Sequence, residues 1–524
     1  MTVDVESQSR TIQSLNPATG DVLGEVPCAS DDEVRRAVAM ARAAQPSWNK
    51  LGIRVRLAII QQFQKLLLEK KSEIAQAITG EAGKPYVEAL MTEVQVVLDA
   101  ARFCIANAQD FLAPQRLPHG NLAMKTKSGS IWRESHGVIG IISPWNYPFS
   151  IPATESLAAL AMGNAVLLKP SELTPLTALE LAKLLHEAGV PRDVFQVVIG
   201  EGSTGAVLVN SDIDKLVFTG SVRTGKKIAQ LSAAKLLPVV LELGGKDPMI
   251  VLEDANVDVA SSAAVWGAFV NAGQTCLSVE RCYVHRSIYE KFLAACASRI
   301  SRLRVGDGSE SGIDIGPLIH ERQVAVIEGH IEDAVRRGAR ILAGGKRLPD
   351  VGANFYAPTL LRDVTHDMLI MQEETFGPVL PVMSFADDAE AVRLANDSVY
   401  GLAASIFTRD PARAKRIAAQ LQAGTVMIND AISCFSISEA PHGGVKASGI
   451  GRTHGRFGFE EMVRVKYVDA DRLPDMKKIW WYKYGAALPA QMEGFLDMLF
   501  SRKLIAKVRG ALRATGSLLR RDRL

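Results

Sequence analysis

Two short stretches carry a thiol and a carboxylate that could serve as a nucleophile and a base. "VNAGQTCLSVERC", residues 270–282, sets Cys276 in a loop of Gly, Gln and Thr, with Cys282 six positions on. Thirty-four residues before Cys276, the apolar run "PVVLELGGKDP" reaches Glu242 and two glycines. A thiolate is the nucleophilic form of cysteine, and a carboxylate beside it can accept a proton. Each residue alone also has a bland reading, since buried cysteines are mostly inert and strand-end glutamates usually meet a cation. No metal is expected here. Cys276 and Cys282 lack CxxC spacing, and their neighbourhood adds only His285. Six cysteines in 524 residues are too sparse for a disulfide scaffold, which points to a reduced, cytoplasmic setting.

Further stretches could hold an anionic, hydroxyl-rich ligand. "SPWNYP", residues 143–148, brackets Trp145 and Asn146 with prolines, and a side-chain amide held there could donate to a developing oxyanion. "LLKPSELTP" delivers Lys169 and Glu172 at the end of an apolar strand. A carboxylate there would bind vicinal ribose hydroxyls and repel a 2′-phosphate, favouring NAD, with NADP as the alternative. "GEGSTG", with Gly202 and Gly205, spells GxGxxG after a strand, but no acidic residue follows in the expected context. "FTGSVRTGK" opens another helix on Gly220, Ser221 and Gly225. Its N-terminus is the better pyrophosphate site, leaving Gly200–Gly205 as close packing near the adenosine.

The surrounding pattern says what positions these residues. Residues 31–113 read as amphipathic helices. From Gly137 short β-branched runs alternate with helices, as in "VIGIISP", "AVLLKP", "KLVFTG" and "PVVLELGG", which implies a doubly wound parallel sheet. A second alternation from "DPMIVLED" to "GTVMIND" implies another α/β domain. The fold class expected is α/β: a Rossmann-like NAD-binding domain over 1–113 and 136–244 and a second α/β catalytic domain over 245–454. A small β element is expected over 114–135 and 455–472, then a basic tail over 473–524.

Taken in order, "PWNYP", "LLKPSELTP", "FTGSVRTG", "LELGGKDP", "GQTC", "EETFGPV" and "GGVKASGIGR" resemble the NAD(P)-dependent aldehyde dehydrogenase superfamily over nearly the whole chain, to about residue 470. The resemblance implies that Cys276 attacks an aldehyde carbonyl and that Asn146, with the Cys276 N–H, holds the oxyanion. Glu242 then activates water to hydrolyse the thioester. It also implies cofactor contacts from Lys169 and Glu172 at the adenosine ribose and Glu374 at the nicotinamide ribose. Phe376 would lie on the nicotinamide side and Trp145 and Ser221 at the pyrophosphate, with Leu243 and Gly244 among the contacts. By the same resemblance Cys282 is expected to be structural and the small β element over 114–135 and 455–472 to be an oligomerisation element. One departure is "GRT", with Thr453 where many members have "GRE". A coenzyme A-acylating relative is disfavoured by Glu242, and a non-catalytic binding protein by the intact Cys276, Glu242 and Asn146.

The loop "NDAISCFSISEA", with Cys434 and Phe435, holds no Arg or Lys, which leans toward an apolar aldehyde over succinic semialdehyde. A formal charge of +3 gives no reason to expect nucleic acid. Its distribution is uneven: residues 477–524 hold eleven Lys/Arg against three Asp/Glu, a net of +8, which leaves −5 for the rest. "IWWYKYG" mixes aromatics with lysines, and "FLDMLFSRKLIAKVRGALR" winds as one helix with Leu496, Phe500, Leu504, Val508 and Leu512 on a single face. That pattern suits peripheral contact with the inner face of a membrane, or an arm on a sister subunit of a homodimer or homotetramer. No run of about 18 apolar residues suggests a span.

Overall fold

The protein is described from a computed structural model covering residues 10–121, 124–478 and 480–516. After an antiparallel hairpin, β1 (Thr11–Leu15) and β2 (Val22–Pro27), the chain turns helical from Asp31 to Leu112. Ser30 and Glu33 close a capping box at the first helix, satisfying N–H groups that a helix start leaves unpaired. Helix Lys71–Ala82 ends on Gly83 at φ +77°, where a Cβ would lie 2.6 Å from Pro317 Cγ. Only glycine fits both that backbone and that space.

Strands β3 (Gln115–Leu117) and β4 (Lys127–Ser135) precede the first parallel sheet. That sheet contains β5 (Val138–Ile142), β6 (Ala165–Lys169), β7 (Phe195–Val197), β8 (Lys215–Thr219) and β9 (Val239–Glu242). A second follows: β10 (Asp247–Val251), β11 (Val279–His285), β12 (Arg340–Ala343), β13 (Thr359–Arg362), β14 (Val379–Phe385), β15 (Ala403–Phe407) and β16 (Thr425–Ile428). Short β17 (Gly449–Ile450) returns to the first sheet, and β18 (Val463–Asp471) pairs outside both.

The first sheet has the order β17-β9-β8-β5-β6-β7 and the second β12-β13-β14-β11-β10-β15-β16. All neighbours are parallel except β17 on β9 and β12 on β13. Every residue of β5, β6, β10 and β15 is buried, so these strands read as continuous apolar runs without alternation. One core gathers residues between Val34 and Leu243 with Phe459, Met462 and Val463; the other lies between Met249 and Cys434. In the first sheet the winding reverses between β5 and β8, and the loops after Ile142 and Thr219 open there. Such a reversal leaves a crevice at the carboxyl ends of the strands.

The chain divides into two compact units, residues 1–113 with 132–466 and residues 114–131 with 467–524. Within the second, β3 pairs antiparallel with β4, and two helices follow, Leu488–Phe500 and Leu504–Gly516. The single amphipathic helix expected in the tail is therefore two. Ser501 takes extended backbone (φ −64°, ψ 138°) and stops the first. Residues 1–9, 122–123, 479 and 517–524 lie outside the described residues. Among the described residues no helix is long and apolar enough to cross a membrane.

Candidate active site

Cys276, Glu242 and Asn146 meet in one cleft of about 740 Å³ lined by both sheets' loops. Glu242 ends β9, and Asn146 follows β5. Cys276 lies between helix Val257–Phe269 and β11, just past a tight turn in which Asn271 and Ala272 both hold φ +54°. Asn146 Nδ2 donates to Gln274 O at 3.0 Å, two residues before the cysteine. Tyr147 and Thr275 share a hydroxyl hydrogen bond of 2.8 Å. All six cysteines are free; Cys276 is half-buried and Cys282 fully buried on β11.

Electrostatics at the centre favour neutral forms. Burial, then the carboxyls of Asp247, Glu374 and Glu242, push the Cys276 thiol well above its ordinary value. Burial, then neighbouring Glu155, push Glu242 well above the usual carboxylate range. Among the described residues neither Glu242 oxygen makes a close hydrogen bond, the Thr453 backbone favours the carboxylate only weakly, and His442 Nε2 stands 3.9 Å from Oε2. Burial holds the His442 ring neutral, at about 3. A carboxyl with unpaired oxygens in a closed cleft is placed to bind a water or a substrate proton.

Two fully buried Lys–Glu pairs hold the loops that carry these groups. Lys84 Nζ bonds Glu93 at 2.7 Å and donates to the Asn146 carbonyl at 2.8 Å. Glu93 in turn accepts from Phe149 N and Ser150 N at 3.1 and 2.7 Å, so one ion pair fixes both sides of the "PWNYPFS" loop. Lys246 Nζ bonds Glu280 at 2.5 Å. Glu280 also accepts from Thr375 N and Phe376 N, both at 2.8 Å, which fixes the loop bearing Glu374 and Phe376.

The residues expected to hold a dinucleotide fall into two groups. Trp145, Gly220, Ser221, Leu243, Gly244, Glu374 and Phe376 line the same cleft as Cys276. Trp145 packs edge-on against Phe376 with ring centroids 5.5 Å apart. Gly245 N donates to Glu374 Oε1 at 3.1 Å, and a Cβ on Gly244 would lie 2.3 Å from Glu374 Oε2. Burial and then Glu280 raise the Glu374 carboxyl to about 8. Ser221 caps helix Val222–Ala233 by accepting from Thr224 N, and Gly225 behind it leaves room for Leu243. Lys169, Glu172, Gly202 and Gly205 do not line that cleft. At the end of β6 Lys169 Nζ stands 3.4 Å from Glu172 Oε2 and the Gly205 Cβ position is 3.9 Å from Lys169 Cδ, while Gly202 opens the helix Gly202–Asn210 that carries Gly205. An open helix N-terminus, a crevice kept clear by Gly244 and carboxylates at each end fit a dinucleotide.

Sequence reasoning missed Glu155, His442 and the two lysine clamps. Glu155 lies on helix Ser150–Ala161, where every residue but Ala158 is buried. It accepts from Thr219 Oγ1 at 3.2 Å, its other oxygen has no partner, and burial raises it to about 8. Thr219 is the register partner of Glu242 across β8 and β9, so Glu155 stands beside the candidate base. A lone carboxylate in "IPATESLAALAMG" was the available signal.

A family model described as the aldehyde dehydrogenase family matches residues 5–468. A protein of Methylomonas sp named 4,4'-diapolycopene aldehyde oxidase is 39% identical, the match covering 94% of this chain and 91% of that one. A putative succinate-semialdehyde dehydrogenase [NADP(+)] of Mycolicibacterium smegmatis is 40% identical, with 89% of each chain covered. The solved NAD+ complex of a Bacillus cereus aldehyde dehydrogenase superposes with a TM-score of 0.85 at 38% identity, over 88% of this chain and 93% of that one. By sequence and by fold, the chain belongs to the aldehyde dehydrogenase family and is an NAD(P)-dependent oxidoreductase acting on an aldehyde.

Proposed function

We propose that the enzyme oxidises an apolar aldehyde, of medium or long chain or aromatic, to the carboxylic acid with NAD. In this reading the Cys276 thiol loses its proton to water in the cleft, the thiolate sulfur bonds to the aldehyde carbon, and Asn146 Nδ2 with the Cys276 N–H stabilises the oxyanion so formed. When bound, the dinucleotide supplies the hydride acceptor that converts the adduct to a thioester. Glu242 takes a proton from water, the resulting hydroxyl adds to the thioester carbon, and the C–S bond breaks to release the acid and the Cys276 thiolate. Thr453 lines the cleft with a hydroxyl-bearing side chain.

The observation that carries the substrate class is charge. Among the described residues lining the cleft, Arg223 is the one Arg or Lys, and it sits in the first turn of helix Val222–Ala233, on the pyrophosphate side. The side near Glu242 presents Glu155, neutral His442, Ile151 and Phe435, whose ring meets His442 edge-on at 5.1 Å. A substrate carboxylate there would face two carboxyl groups, and the nearest cation, Arg452, lies behind Glu242 outside the lining, where its guanidinium donates to the Gly444 and Gly451 carbonyls. The Methylomonas relative, named 4,4'-diapolycopene aldehyde oxidase, supports the same class. Its match covers 94% of this chain, so it extends well past residue 468, where the family model ends. The semialdehyde dehydrogenase names among other relatives favour the second reading, a succinic semialdehyde substrate. NADH formation with acetaldehyde, decanal, benzaldehyde and succinic semialdehyde separates the two, with Cys276→Ala as the inactive control. Efficiency climbing from acetaldehyde to decanal supports the apolar reading; succinic semialdehyde as the best substrate overturns it.

A further inference from the structure

We propose that the helical hairpin of residues 488–516 docks the enzyme on the surface of an anionic lipid bilayer. Its two helices touch backbone to backbone. A Cβ on Gly494 would lie 2.8 Å from Gly510 O, and one on Gly510 would lie 2.5 Å from Gly494 O. Contact through glycines leaves the larger apolar side chains facing outward. Phe500, Leu504 and Ile505, around the turn, are 72%, 76% and 75% exposed, and Leu496, Val508 and Leu512 are exposed as well. Exposed apolar side chains clustered in this way mark a contact surface.

Charge selects the occupant. The hairpin carries five cations, Arg502, Lys503, Lys507, Arg509 and Arg513, against Glu493 and Asp497. All five cations are exposed, and no ion pair among the described residues involves them. Just before the hairpin, Trp480, Trp481, Tyr482 and Tyr484 are exposed beside Lys477 and Lys483, the amphipathic ring and ammonium mixture that settles at headgroup level. A second copy of this face would set like charges against like, whereas anionic headgroups above an acyl layer answer both the cations and the apolar groups. Each helix has 13 residues, about 20 Å at the usual rise and short of the roughly 30 Å hydrocarbon core, so the hairpin lies in the interface.

The test uses the full chain and a Phe500→Asp, Leu504→Asp, Ile505→Asp variant. Both are sedimented with vesicles of phosphatidylcholine alone and of phosphatidylcholine with phosphatidylserine. The wild-type protein is expected to sediment with the anionic vesicles only and to be released by salt. The variant is expected to lose at least about tenfold in binding while keeping its NADH production from a water-soluble aldehyde. Absence of binding to anionic vesicles, or equal binding of the two proteins, overturns the proposal. A lower sedimentation mass for the variant without vesicle binding by the wild type reassigns the face to contact between copies, which also overturns it.

Discussion

Replacing Glu172 by Gln is expected to move cofactor preference from NAD toward NADP by one to three orders of magnitude. The Glu172 side chain is 45% exposed at the end of β6, with Lys169 Nζ 3.4 Å away. Unit charges about 4 Å apart interact by ~1 kcal/mol in bulk water and ~4 kcal/mol near a protein surface. Half exposure and the neighbouring lysine leave roughly 1–2 kcal/mol of repulsion against a 2′-phosphate. The amide also forgoes charge-assisted hydrogen bonds to ribose hydroxyls, a further loss of about 1–2 kcal/mol for NAD. Together these change the ratio of kcat/KM for NADP over NAD by ~2–4 kcal/mol, or roughly 30- to 800-fold. Initial rates with each dinucleotide at a saturating aldehyde read that ratio directly. A change below about threefold would refute the assignment, because it would mean that Glu172 does not face the ribose.

Glu242→Gln is expected to give a first burst of NADH with a stalled steady state in rapid-mixing absorbance, since the adduct can still form while hydrolysis lacks its base; an unchanged steady rate would remove Glu242 from that role. The Glu242 carboxyl must be ionised to act and is held above the usual range by burial and then Glu155, so kcat is expected to rise with pH. Glu155, itself raised to about 8, is charged only in the upper part of that limb, so Glu155→Gln should shift the part above about pH 8 to lower pH; a pH profile in buffers of fixed ionic strength checks it, and a shift to higher pH contradicts it. Lys84→Met leaves Glu93 buried without its cation and is expected to destabilise the protein by about 3–5 kcal/mol, seen as a lower midpoint in urea unfolding. The same change leaves the Asn146 carbonyl held by Asn271 Nδ2 without the lysine, so kcat is expected to fall more than the KM for aldehyde rises.

The parallel strands were legible because β5, β6, β10 and β15 are buried on both faces and appear as unbroken apolar runs. Cys276, Glu242 and Asn146 were legible because short motifs hold them at strand ends and tight loops. Glu155 was hidden by the same burial that exposed the strands: its helix is apolar all round and offers no polar face against which one carboxylate stands out. Lys84 follows Gly83 at a helix end and looks like an ordinary terminal lysine until Glu93 is brought against it. The tail misled because its 100° periodicity runs unbroken through residues 501–503, which contain neither Gly nor Pro. The break is tertiary, set where Gly494 and Gly510 let the second helix fold back on the first.

The Lys84–Glu93 and Lys246–Glu280 pairs divide the labour of the chain between permanence and change. Each lies at the root of a reactive loop and bonds main-chain atoms, so its function is blind to the identity of the side chains that the loop displays. Half-buried Phe435 and Glu172 make no comparable main-chain contacts to a reactive loop among the described residues. New substrate or cofactor preferences can therefore accumulate at the rim by single replacements without rebuilding the centre. Directed evolution for altered aldehyde selectivity should accept variation more freely at Phe435 than at the four anchoring positions.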